Sequence, residues 1–197
     1  MRRAVFLAAP LAVLGVVLAG CGPTVTGTAA PASTITSHIK VPPPSVAAPA
    51  TLPPARTANC PYLSLDEVQN DNGQHVGSVK ISSSSDGQPH PVCYFYRPDG
   101  HLQMTVRVYV GTAAVATAVV NQAAPVSSSD PANQPSGWNG GSQANASASS
   151  QASSTTVLKG AVYAIAKGGT AIVVMSNQLQ TIKCRLVATA VVSGLNQ

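Results

Sequence analysis

The chain has 197 residues, of which 9% are charged and 4% aromatic, and Ala, Ser, Thr, Val, Gly and Pro dominate. This leaves room for one ordinary domain, with the profile of a neutral, secreted protein carrying flexible attachments. The formal net charge of +5 falls to +3 if Arg2 and Arg3 leave with a leader, and the remaining cations (Lys80, Arg97, Arg107, Lys159, Lys167, Lys183 and Arg185 among them) form no stripe, which argues against nucleic acid as a partner.

The N-terminus has the three parts of a secretory signal: positive Arg2 and Arg3, an apolar stretch from Ala4 to Val17, and small Ala19 and Gly20. The run is short for a membrane span and Pro10 interrupts it, so residues 1–20 are read as a leader. At its end Leu18-Ala19-Gly20-Cys21 resembles the lipobox of bacterial lipoproteins, whose cysteine receives a diacylglyceryl group before the leader is removed. A cysteine modified in that way, its new amino terminus acylated as well, carries two or more chains. One acyl chain holds a protein only marginally, whereas two hold it stably. The expected location is therefore the extracytoplasmic face of a cell membrane, with Cys21 as the point of attachment.

Residues 21–58 read as a tether: Pro23, Pro31, Pro42, Pro43, Pro44, Pro49, Pro53 and Pro54 stand among Thr, Ser and Ala. Such a segment lacks the apolar periodicity that would offset the entropy of ordering it, so the expectation is an extended, disordered spacer, bare or glycosylated on its threonines. Order is expected from Asn59. Ser64 followed by Glu67 is a capping-box pattern and Gly73 a stop, which predicts a helix over Leu65 to Asn72.

Strand signals follow: His75 to Ser82, then a hairpin of Val92 to Arg97 and Leu102 to Val110 about an Asp99-Gly100 turn. In the second arm Leu102, Met104, Val106, Val108 and Val110 alternate with Gln103, Thr105, Arg107 and Tyr109, the period of a strand with one buried face. Thr112 starts a helix over Ala113 to Ala123, which closes before Pro125. The irregular stretch after it ends in a Ser/Ala-rich part, read as a mobile loop near 142–156. A second hairpin turns at Gly168-Gly169, and Leu179, Ile182, Leu186 and Ala190, with Val187 and Val191 beside them, predict an amphipathic C-terminal helix. Hairpins alternating with lone helices give an α+β domain over 59–197, an antiparallel sheet of about five strands flanked by helices.

Three cysteines remain after Cys21. Cys60, at the start of the domain, and Cys93, early in a strand, make the best disulfide pair for an oxidising compartment, leaving Cys184 as a buried free thiol. No C-x-x-C or Cys/His cluster points to a metal. Each of the six acids has a local structural explanation: Asp66 and Glu67 in a first helical turn, Asp71 at a helix end, Asp86, Asp99 and Asp130 in turns. No carboxylate pair is left for glycosidase-type chemistry, no G-x-S-x-G or phosphate-cradling loop is present, and no cofactor is implied. The remaining candidates are aromatic and cationic. Tyr94, Tyr96 and Tyr109 with Arg97 and Arg107 form either a recognition surface on adjacent strands or the polar face of a sheet. Trp138 in "PSGWNGG" is either a ligand contact presented by a glycine-rich loop or a plug onto the core.

The blocks "CPYLSLDEV", "CYFYRPDG", "QAAPVSSSDPANQPSGWNGG" and "GAVYAIAKGGTAIVVMSNQLQTIKC" resemble an uncharacterised domain of actinobacterial, especially mycobacterial, secreted lipoproteins, over most of Asn59 to Asn196. The resemblance implies a Mog1/PsbP-like sandwich, a superfamily richer in adaptors and accessory proteins than in enzymes, and assigns no activity. The expectation is a lipid-anchored envelope protein whose domain binds a protein, apolar or glycan partner without catalysis. The alternatives are a hydrolase or transferase acting on envelope material and a purely structural component.

Overall fold

A computed structural model of the chain describes residues 46–84, 87–147 and 158–195. The leader, Cys21, the tether up to Ser45, Asp86 and residues 148–157 of the Ser/Ala-rich stretch lie outside the described residues. In chain order the elements are β1 Pro54–Thr57, α1 Leu65–Asn72, β2 Ser78–Ser82, β3 Cys93–Tyr96, β4 Leu102–Val110, α2 Ala113–Ala123, β5 Asp130–Ala132, β6 Asn139–Ser147, β7 Lys159–Lys167, β8 Thr170–Ser176 and α3 Thr181–Leu195. All belong to one unit, Pro42–Gln197.

The architecture is α+β, one antiparallel sheet flanked by three helices, and the sheet has eight strands in the order β1-β2-β3-β4-β8-β7-β6-β5. That corrects the expected number of about five, and each extra strand has an identifiable cause. Pro54–Thr57, inside the stretch read as disordered tether, pairs with β2 at the sheet edge, Thr57 opposite Lys80, so order begins before Asn59. Ser142 to Ser147, read as part of a mobile loop, lies in β6. The nine residues of β6 hold no β-branched or aromatic side chain. They form a strand because β7, whose Gly160–Ile165 are all buried, needs a partner on that side. β5 then adds to β6 through three residues.

Alternation along the strands builds two cores. Val79, Ile81, Cys93, Phe95, Met104, Val106, Val108, Ile165, Ile172 and Val174 face α1 and α3, which bring Val68, Cys184, Val187, Ala188 and Val191. On the opposite face Val162, Ala164, Ala171, Val173 and Met175 meet Ala116, Val119 and Val120 of α2. A valine side chain buried in this way contributes roughly 1.5 kcal/mol or more. The buried stripe of α3 is Cys184, Val187, Ala188 and Val191, whereas Ile182 and Leu186 are each 43% exposed and Leu179, which precedes the helix, is 56% exposed. The helix is present and buries Val187 and Val191 as expected, but not Ile182 or Leu186, because α3 lies close on both the sheet and α1 through its small and β-branched residues.

Helix limits follow their caps. The Ser64 hydroxyl accepts from the Glu67 amide and the Glu67 carboxylate accepts from the Ser64 amide at 3.0 Å, while Gly73 ends α1 at φ +70°, a conformation that costs glycine nothing. Thr112 caps α2 through the Val115 amide at 3.3 Å. Cys60 and Cys93 form a disulfide, and Cys184 is a buried free thiol whose titration burial pushes up to about 12. The bridge ties the segment between β1 and α1 to β3.

Candidate functional site

Tyr94 and Arg107 alternate with core residues of β3 and β4, so both stand on the sheet face that carries α2. Thr105 is the register partner of Tyr94, and Arg107 is two residues further along β4, which makes the two side chains diagonal neighbours. α2 lies over β6, β7 and β8 and only touches β4. Among the described residues no helix lies above the part of this face toward β1. A segment without regular secondary structure, Val46–Pro53, crosses it instead.

Among the described residues three side-chain hydrogen bonds hold that segment. The Arg107 guanidinium donates to the Pro49 carbonyl at 2.8 Å and to the Thr51 hydroxyl at 3.0 Å, and the Tyr94 hydroxyl donates to the Leu52 carbonyl. Ala48 packs beside the α2 core, and Pro54 then enters β1. Burial pushes the Tyr94 phenol up to about 12, helped by Tyr96 and opposed by Arg107, so it keeps its proton and acts as a donor throughout the physiological range. No residue from Val46 to Thr57 is itself fully buried, although Tyr94 and Arg107 beneath it are 8% and 9% exposed. Between Val46–Ala48 and the outer side of α2 runs an open groove of about 650 Å³, lined there by Ala114, Thr117, Ala118, Asn121 and Gln122.

The other sequence-derived candidates do not join this strip as an exposed patch. Tyr96 is half-buried at its edge, with the Lys80 ammonium 5.2 Å from its ring centre. Arg97 belongs to the β3–β4 turn, where it pairs with Asp99 at 2.8 Å. The same carboxylate accepts from the His101 amide, which, with Arg97, holds its pKa below the usual range. Tyr109 is buried in the α2 core. Trp138 is 8% exposed within the core beneath α1 and α3, on the opposite side of the sheet from Tyr94. It is the plug of the two alternatives, and the neighbouring glycines serve a different purpose from presenting it. A Cβ at Gly140 would sit 1.9 Å from the Ala164 carbonyl, and one at Gly141 2.6 Å from that of Ala124, so both allow close backbone approach to β7 and to the end of α2.

Sequence reasoning missed one polar cluster. Asn72, the last residue of α1, is fully buried and accepts from Ser176 at 3.0 Å and Gln178 at 3.1 Å while donating to Gln103 at 3.2 Å. Its carbonyl accepts from Lys183 at 2.9 Å and Gln178 at 2.7 Å. The cation sits at the negative end of α1, where it is electrostatically favoured. These amides, one hydroxyl and one ammonium satisfy one another, so the cluster fastens α1 to β8 and α3. Only Asn-Gly at the helix end was visible in the sequence, and nothing there distinguishes a buried asparagine from an exposed one. Among the described residues no group of three or more His, Cys, Asp or Glu could hold a metal ion.

No curated protein sequence matches the chain. A family model described as a domain of unknown function (DUF2020) matches residues 44–197, a span that takes in the crossing segment as well as the sheet. The chain belongs to the DUF2020 family.

Proposed function

We propose that this protein is a lipoprotein of a bacterial cell envelope, anchored on the extracytoplasmic face of the membrane through acyl chains on Cys21, and that its DUF2020 domain is a non-catalytic binding or accessory module. The observation that carries the reading is the Cys60–Cys93 disulfide directly after the ordered start of the domain, since such bridges persist outside the reducing cytoplasm. The lipobox-like Leu18–Cys21 after an apolar leader and the proline-rich stretch behind it fit the same placement. The binding role is supported by how the polar side chains are engaged. Glu67 serves the cap of α1, Asp99 its turn and Arg97, while Tyr94 and Arg107 are directed at main-chain acceptors of the Val46–Pro53 segment.

Mass spectrometry of the natively produced protein tests the anchor. A chain beginning at a diacylglyceryl-modified Cys21 is expected, and Cys21→Ala is expected to move the protein from the detergent phase to an unprocessed or released form. An unmodified residue 21, or a leader still attached, overturns the placement. Crosslinking in live cells addresses the binding role: a reproducible covalent partner supports it, and turnover of an envelope substrate by the purified protein would replace it.

A further inference from the structure

We propose that the Tyr94–Arg107 strip is a docking surface for an extended, uncharged, proline-containing segment of a partner protein, and that Pro49–Leu52 is its competitor in cis, closing the surface until displaced. The inference rests on the reading of the domain as a binding module and specifies where and what it binds. The occupant on the page defines the chemistry. Two of the three contacts end on main-chain carbonyls, those of Pro49 and Leu52, which any extended chain can present. Ala48 and Leu52 each precede a proline and are steered away from helical backbone, so the segment is pre-shaped for these donors. A tyrosine hydroxyl and a flat guanidinium reading carbonyls of a proline-bearing chain is a way of recognising polyproline II structure, which costs little entropy to bind because it is already extended.

The cis segment is placed to be exchanged. It covers two buried side chains while burying none of its own residues fully, and Val46 is 47% exposed. Local opening of such a segment is far cheaper than unfolding the sheet below it. Its hold comes mainly from being tied to the same chain, through β1 and the Cys60–Cys93 bridge, which keeps its effective concentration high.

The test uses the full chain in detergent micelles and a fluorescent synthetic peptide of sequence VAAPATLPP, that of Val46 to Pro54. A double variant, Pro49→Gly with Thr51→Gly, loosens the cis segment. It is expected to bind the peptide at least tenfold tighter than the unaltered chain, to lose at least tenfold on adding Arg107→Ala, and to ignore a peptide whose prolines are glycines. A double variant with native circular dichroism and a protected Cys184 thiol that binds no better than the unaltered chain overturns the proposal. If the double variant does not fold, hydrogen exchange on the unaltered chain decides. Amides of Ala50 to Leu52 exchanging at least a hundredfold faster than those of β4 support a displaceable segment; exchange only with global unfolding overturns it. Concentration-dependent dimerisation abolished by Arg107→Ala would give the strip to a second copy and overturn a hetero-partner. A crosslinked partner mapped elsewhere on the domain would remove this strip but leave the binding reading intact.

Discussion

Trp138 shows what local sequence leaves open. Flanked by Gly137, Gly140 and Gly141 it fits a displayed side chain as well as a plug, and it fills the core with Ala132 and Tyr163. The Tyr163 hydroxyl in turn donates to the Gln134 carbonyl at 2.9 Å, holding the loop that carries the tryptophan. Trp138→Ala is expected to lower stability by about 3 kcal/mol, the cost of lost burial plus a residual cavity, with a clear fall in urea midpoint and little change in partner retention. Loss of partner without loss of stability would return Trp138 to a surface role. Tyr94 and Arg107 differ in kind: the sequence offered a recognition surface or the polar face of a sheet, and held no sign that the chain's own proline segment would lie over them.

Elements with strong local signals were legible. α1 and α2 lie at the residues their caps and stops indicated, and β4 follows its five alternating apolar positions from Leu102 to Val110. The strands that were not legible owe their existence to neighbours. β1 holds one proline in four residues and β6 two glycines in nine, compositions that a sheet accepts only where an adjacent strand supplies the hydrogen bonds. The candidate site was half visible for the same reason, since Tyr94 and Arg107 were named while their cover was assigned to disorder. The Cys60–Cys93 bridge links the uncovered and covered parts of this picture. Across a sequence separation of 33 its loop-closure contribution is about 3 to 4 kcal/mol. Replacing both cysteines with alanine is therefore expected to lower the unfolding free energy by that amount, measured in guanidinium, and Cys184 then remains the one protected thiol of the domain. A loss below about 1 kcal/mol would mean that the unbridged unfolded chain is already restrained.

Across the whole domain, both sheet edges are poor templates for another strand. β1 is four residues long with Pro54 at its start and charged Arg56, and β5 is three residues long with Pro131 at its centre. Short, proline-bearing edges discourage edge-to-edge pairing between copies of the chain. The placement of the disulfide has a mechanical consequence as well. Tension drawn through the N-terminus would first lift the segment from Val46, then unzip β1 from β2, and would stop at Cys60, where a covalent bond passes the load into the middle of the sheet. The stretch released, residues 46–59, is on the order of 50 Å when extended. Single-molecule pulling is expected to show one early, reversible lengthening before any large rupture, equal to that length less the distance the segment already spans in the fold, with the arrest at Cys60 vanishing under reductant. A chain pulled by its N-terminus would thus yield a little slack and keep its fold.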